Sequence, residues 1–134
     1  MSATADLPNP DYWRYRPRAP TLGSVLGPLD AIADGRAKEY VFGRGAAAFS
    51  MFVVRSGETV RGYLNLCPHF SLKLNQRGEE FLNDDGSLIR CTMHFAEFRI
   101  ADGFCVAGAC EGRYLDPVPV HVAGGQLVVG PEPA

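Results

Sequence analysis

Two short clusters of cysteine and histidine carry the clearest chemistry in this 134-residue sequence. Cys67 and His69 form a Cys-x-His pair, and Cys91 and His94 form a Cys-x-x-His pair. The 21 residues of segment 70–90 separate the two pairs. Thiolates and neutral imidazoles are both iron ligands, and this mixture suits a two-iron, two-sulfide cluster with the cysteines on one iron and the histidines on the other. The spacing therefore predicts one metal centre that is built from two separate segments.

A structural zinc site is the alternative use of the same four side chains, because zinc also accepts two cysteines and two histidines. Zinc-finger spacings usually keep at least two residues between paired ligands. Only one residue lies between Cys67 and His69. In an extended segment, a gap of one residue points two side chains to the same side. The pattern therefore favours the iron–sulfur cluster, and metal analysis separates the two alternatives.

Short β-rich runs that alternate with turn signals surround both pairs. Hairpin-type turns are indicated at Ser56-Gly57, Asp84-Asp85-Gly86, Asp102-Gly103 and Gly124-Gly125. The predicted strands are 48–54, 60–66, 79–83, 87–91, 97–101, 118–122 and 126–129, and a single helical turn is predicted at 29–33. This spacing is typical of a small all-β sandwich or barrel. His69 and His94 then lie in loops that follow predicted strands.

The sequence around both pairs resembles the Rieske family. The resemblance lies in GYLNLCPHFSLKLN, IRCTMHFAEFRIADGFCVAGACEG and PVPVHVAGGQLVV, all within residues 62–130. It implies a fold of small antiparallel sheets with a cluster-binding subdomain made of two hairpin loops. It also implies one [2Fe-2S] cluster per chain, with Cys67 and Cys91 on one iron and His69 and His94 on the other.

The sequence departs from the high-potential members of that family. Those members carry an extra cysteine in each motif, and the matching positions here are Leu72 and Met93. They also carry two hydroxyl groups after the second histidine, where this sequence has Ala96 and Phe98. The resemblance therefore implies that the cluster loops share no disulfide. It also implies a reduction potential near the lower end of the family span of about −150 to +300 mV.

The remaining cysteines and the third histidine are given structural roles. Cys105 and Cys110 are expected to be small buried side chains, with a redox-active pair as the less favoured alternative. His121 belongs to an alternating strand and is expected to face solvent without a ligand role.

The resemblance implies a soluble ferredoxin that carries single electrons and is not an enzyme in its own right. Its expected partners are a reductase as donor and an oxygenase or a similar protein as acceptor. The alternatives are a permanently bound small subunit of a reductase or oxygenase complex, or a zinc-binding module on the same fold. Phe70, Met93 and Phe95 lie beside the histidines in the sequence, and they either form an apolar docking patch or turn inward to shield the cluster.

Composition limits the other classes of function. A formal net charge of −2 at pH 7 gives no support for binding to nucleic acid or to an anionic membrane. No apolar run reaches the ~20 residues that cross a bilayer, and the first residues do not resemble a secretory signal, so a cytoplasmic protein is expected. Residues 1–20 are predicted to form an extended N-terminal arm, since four prolines lie there, and residues 21–134 a single domain.

Overall fold

The computed structural model describes residues 8–66, 74, 81–83, 85–91, 96–108 and 112–132. Within these residues the chain forms nine strands in three antiparallel, three-stranded sheets, which confirms the predicted fold class. The strands are β1 (Val25–Pro28), β2 (Ala37–Phe42), β3 (Phe49–Ser56), β4 (Thr59–Leu64), β5 (Leu88–Arg90), β6 (Glu97–Arg99), β7 (Cys105–Ala107), β8 (Val120–Ala123) and β9 (Gln126–Val129).

The three sheets follow one another along the chain, except that the C-terminal hairpin returns to pair with β1. The strand orders are β1-β9-β8, β2-β3-β4 and β5-β6-β7. The segment before β8 also pairs with β4, since Val118 N donates to the Gly62 carbonyl at 2.9 Å and Leu64 N donates to the Asp116 carbonyl at 2.8 Å. The segment therefore pairs with the middle sheet up to Val118 and continues from Pro119 into β8 of the first sheet.

The middle sheet lies between two hydrophobic cores. Side chains alternate between the two faces of a strand, and along β3 the buried residues follow that period. Phe52 and Val54 belong to the core shared with the third sheet. Met51 and Val53 belong to the core shared with the first sheet. A continuous buried run in the sequence thus becomes the central layer of the molecule.

The predicted elements differ from the observed ones at their ends and in number. The sequence missed β1, β2 and β7, because β1 and β7 are short and β2 mixes charged with apolar residues. Predicted strand 79–83 falls partly outside the described residues, and Leu82 makes an isolated bridge with Ile89. Predicted helix 29–33 is one turn of 3-10 helix over Leu29–Ala31.

Within the predicted N-terminal arm, Tyr12–Tyr15 form a turn of 3-10 helix, and the first seven residues lie outside the described part of the chain. This turn places Trp13, which is 1% exposed, in the core between the first and middle sheets. Burial of the indole explains why the chain curls at this point. The domain boundary after residue 20 stays a prediction. In the described part of the chain, no helix has the length and apolar character needed to cross a membrane.

Candidate metal centre

The first predicted ligand segment leaves the end of β4. Cys67 and His69 lie outside the described residues, but both ends of their segment are described. Asn65 N donates to the Ser50 carbonyl at 3.0 Å, which continues the pairing with β3 for one residue beyond β4. Leu74 N then donates to Asn65 Oδ1 at 2.9 Å. Segment 66–73 is therefore closed at its base by a buried hydrogen bond.

The second predicted ligand segment connects β5 to β6. Cys91 follows β5 directly and is 0% exposed. Its backbone N–H donates to the Ala96 carbonyl at 2.9 Å, so segment 92–95 is also closed at its base. His94 lies in that segment, outside the described residues. Of the predicted ligands, Cys91 is described and directly follows a strand end.

The bases of the two segments converge in one core. Leu74, Cys91 and Ala96 are all fully buried and belong to the same cluster of side chains. A third segment follows β7 and covers Ala96. Gly108 has a φ of +93°, and a Cβ atom at this position would stand 2.6 Å from Ala96 Cα. Ala96 therefore lies between the base of the second ligand segment and Gly108, and it shares its buried cluster with Leu74.

The described surroundings fit an iron that is ligated by cysteine and shielded from water. The Cys91 thiol lies in an apolar core with Phe98 and Cys105, both 0% exposed. Ala96 and Phe98, at the positions of the hydroxyl donors in high-potential relatives, are buried in this core and carry no hydroxyl. The low potential stays a prediction. Among the described residues no group of three or more metal-binding side chains occurs, and three of the four predicted ligands lie outside them.

The other cysteines, the third histidine and the apolar residues beside the ligands were also assigned roles from the sequence. Cys105 is buried and its thiol donates to the Ala107 carbonyl at 3.1 Å, which suits the structural role, whereas Cys110 lies outside the described residues. His121 was expected to face solvent, but it is half-buried because its Nδ1 lies 2.9 Å from the Gly130 carbonyl oxygen. Phe70, Met93 and Phe95 fall outside the described residues, so both readings of the apolar patch stay open.

One polar network next to the centre was missed by sequence reasoning. Asn65 is the fully buried polar side chain of the described residues, at 1% exposed. Asn65 Nδ2 donates to Ser50 Oγ at 3.1 Å and to Glu39 Oε2 at 3.3 Å, and Ser50 Oγ donates to Glu39 Oε2 at 2.6 Å. The available signal was an asparagine next to Tyr63-Leu64 at the end of a strand, two residues before Cys67.

Among the described residues, the perturbed titratable groups include Asp102, Tyr63 and Asp116, and Tyr63 belongs to the same buried cluster as Cys91. The bond from the Arg99 guanidinium lowers the pKa of the Asp102 carboxyl. Burial raises the pKa of Tyr63 well above its usual value, and the Tyr63 hydroxyl donates to the Ile100 carbonyl at 2.6 Å. Burial also raises the pKa of Asp116, against the opposing effect of Arg16. None of these shifts supplies an acid–base pair at the centre.

Comparison with known proteins places this architecture among iron–sulfur domains. The sequence model of the Rieske [2Fe-2S] domain matches residues 27–129, a range that contains both predicted ligand pairs. A comparison with curated proteins gave no match.

Several solved structures share the fold. The ferredoxin of carbazole 1,9a-dioxygenase from Nocardioides aromaticivorans IC177 is 23% identical with a TM-score of 0.62, and the match covers 84% of this chain and 100% of that one. A chain in a complex of reduced oxygenase and oxidized ferredoxin in carbazole 1,9a-dioxygenase is 18% identical with a TM-score of 0.64, covering 86% and 98%. A longer chain in the reduced complex between oxygenase and ferredoxin of carbazole 1,9a-dioxygenase is 21% identical with a TM-score of 0.66, covering 82% and 30%.

Proposed function

The chain belongs to the family of Rieske [2Fe-2S] domains, and we propose that it is a ferredoxin that carries single electrons from a reductase to an oxygenase. Family membership confirms the predicted cofactor, one [2Fe-2S] cluster, which supplies one-electron chemistry when bound. We propose Cys67 and Cys91 as ligands of one iron, and His69 and His94 as ligands of the other.

The observation that carries the proposal is the meeting of the two ligand segments at one buried core. Leu74 and Cys91, one from each segment, pack in the same cluster. Because Cys91 is fully buried, a partner protein cannot reach the iron from the side of this cysteine. The proposed route for electrons therefore runs through the histidine-ligated iron.

The names of the structural relatives support the choice of partners. Two of them are complexes between an oxygenase and a ferredoxin. The match covers the whole of the ferredoxin from Nocardioides, so the likeness extends over the complete fold of that protein. An oxygenase is accordingly the proposed acceptor, and a reductase the proposed donor.

The test of the cluster starts from protein purified without oxygen. Iron and zinc are measured, and the dithionite-reduced protein is examined by EPR spectroscopy. Two irons per chain, with a rhombic signal of low average g-value, are expected for mixed cysteine and histidine ligation. One zinc and a silent spectrum would instead establish the structural zinc module.

The ligand assignment is tested with paired cysteine variants. Cys91→Ser is expected to abolish the spectrum, because a hydroxyl replaces a thiolate ligand. Cys105→Ser is the matched control, since Cys105 is equally buried but bonds to the Ala107 carbonyl. Loss of the cluster in both variants, or in neither, would contradict the assignment of Cys91.

The carrier role is tested separately from the cluster. The reduced protein is mixed with an oxidised ring-hydroxylating oxygenase, and reoxidation is followed by stopped-flow absorbance. A carrier should exchange electrons in a bimolecular reaction and separate from its partner on gel filtration. Co-elution that survives dilution would instead indicate a permanently bound subunit.

A further inference from the structure

A half-buried carboxylate, Glu39, ends a chain of hydrogen bonds that starts at Asn65, two residues before Cys67. Glu39 lies in β2, Ser50 in β3 and Asn65 just beyond β4, so three neighbouring strands each contribute one polar side chain. Glu39 is opposite Phe52 in the strand register, and Phe52 faces the core of the ligand segments. The network therefore lies on the face of the middle sheet that supports the metal centre.

The network fixes which way the Asn65 amide points. The amide nitrogen faces two oxygens, Ser50 Oγ at 3.1 Å and Glu39 Oε2 at 3.3 Å. The amide oxygen is thereby left to face Leu74 N at 2.9 Å. A flipped amide would set its oxygen against the carboxylate and its N–H₂ against the Leu74 N–H, which are two repulsive contacts.

The bond to Leu74 joins the two ends of segment 66–73, which holds Cys67 and His69. Hydrogen bonds to partly buried polar groups are costly to break, because the orphaned partner cannot return to water. From this geometry we propose that Asn65 is a positioning residue that holds the first ligand segment closed, and that Glu39 and Ser50 act through it by fixing its amide. The role rests on the proposed ligation by Cys67 and His69.

The experiment compares single variants of the holoprotein by three readouts: the rate of cluster loss in the presence of an iron chelator, the EPR g-values, and the reduction potential. Asn65→Ala removes the clamp, and Asn65→Asp keeps the acceptor but sets a second carboxylate against Glu39. Each variant is expected to lose its cluster about tenfold faster than the wild type, in line with outer residues of other metal sites. The g-values and potential should also shift, since the ligands are less firmly held.

A double variant provides the most discriminating comparison. Glu39→Gln combined with Asn65→Asp exchanges the amide and the carboxylate between the two strands. The carboxylate at position 65 still accepts from Leu74 N, while the amide at position 39 donates in the opposite direction and the Ser50 hydroxyl reorients. The exchange is expected to restore the rate of cluster loss to within about threefold of the wild type, a rescue that no single variant provides.

Two controls separate positioning from stability in general. Tyr40→Phe alters the neighbouring residue of β2, whose buried hydroxyl makes no hydrogen bond within the described residues, and should change none of the readouts. Trp13→Phe weakens the core on the opposite face of the middle sheet, and should lower the melting temperature without changing the g-values.

The outcomes are distinct for each hypothesis. A wild-type protein that binds no cluster would overturn the proposed function itself. If the wild type binds the cluster, two results would overturn the role of Asn65 alone. The first is Asn65→Ala with unchanged readouts, and the second is a double variant that loses its cluster as fast as Asn65→Asp. Failure of Asn65→Ala to fold leaves the comparison of Asn65→Asp with the double variant decisive.

Discussion

Replacement of Gly108 by alanine should displace Ala96 and thereby weaken the hydrogen bond that closes the second ligand segment. Gly108 follows β7, has a φ of +93°, and lies against Ala96. A Cβ atom at this position would stand 2.6 Å from Ala96 Cα, 3.1 Å from Ala96 N and 3.2 Å from Ala96 Cβ. The nearest atoms belong to the backbone, so they cannot move aside by a rotamer change. Ala96 must shift, and with it the bond from Cys91 N that closes the segment.

The cost has two parts. A residue with a Cβ atom in a left-handed backbone conformation destabilises the folded state by about 1–2 kcal/mol. Forcing an extra carbon into a packed site typically adds about 1–3 kcal/mol. Gly108→Ala should therefore lower the free energy of unfolding by about 2–5 kcal/mol.

Gly112→Ala is the control that carries only the backbone part of the cost, so its difference from Gly108→Ala gives the steric part. Gly112 has a φ of +88°, close to that of Gly108, but no described residue lies within 4 Å of its added Cβ. Gly112→Ala should lower the free energy of unfolding by about 1–2 kcal/mol, which is the cost of the backbone conformation alone. Both variants are unfolded in urea, and the release of the cluster is followed by visible absorbance. Equal stability and equal rates of cluster loss in the two variants would refute the contact between Gly108 and Ala96 as a support of the centre.

Three further predictions follow from other contacts. Trp13→Ala should lower the free energy of unfolding by about 3–5 kcal/mol, because a fully buried indole leaves a cavity, and deletion of residues 1–11 as a control should have a smaller effect in the same urea titration. Tyr63→Phe should cost about 1 kcal/mol, since the Ile100 carbonyl loses its donor; an unchanged urea midpoint would argue against that bond. Burial raises the pKa of Asp116, so the folded state favours the protonated carboxyl. The stability that this protonation gives is present below about pH 4 and is lost as the pH rises through the folded-state pKa. Asp116→Asn should therefore gain more in melting temperature over the wild type at pH 7 than at pH 4; a gain that is the same at both would count against the shift.

The fold class could be predicted from the sequence because it depends on local information, and the proposed ligand pairs are also read from local patterns. Cys67-Pro-His69 and Cys91-Thr-Met-His94 are contiguous, and mixed soft and imidazole donors narrow the choice of metal. Turn dipeptides such as Ser56-Gly57 and Gly124-Gly125 mark hairpins, and both join paired strands, β3 to β4 and β8 to β9. Strand period and turn chemistry both act over a few residues, so a single sequence is enough to identify them.

The support of the centre depended on contacts between residues far apart in the chain. Glu39, Ser50 and Asn65 come from three strands, and no local pattern indicates that a carboxylate in β2 reaches an amide beyond β4. In the same way, Trp13 is buried in a core that also contains Val129, and Gly108 lies against the backbone of Ala96. The sequence by itself determined the fold class and indicated the proposed donor atoms. Only the tertiary structure decided how the strands are held, because burial and hydrogen-bond partners are properties of the packed chain.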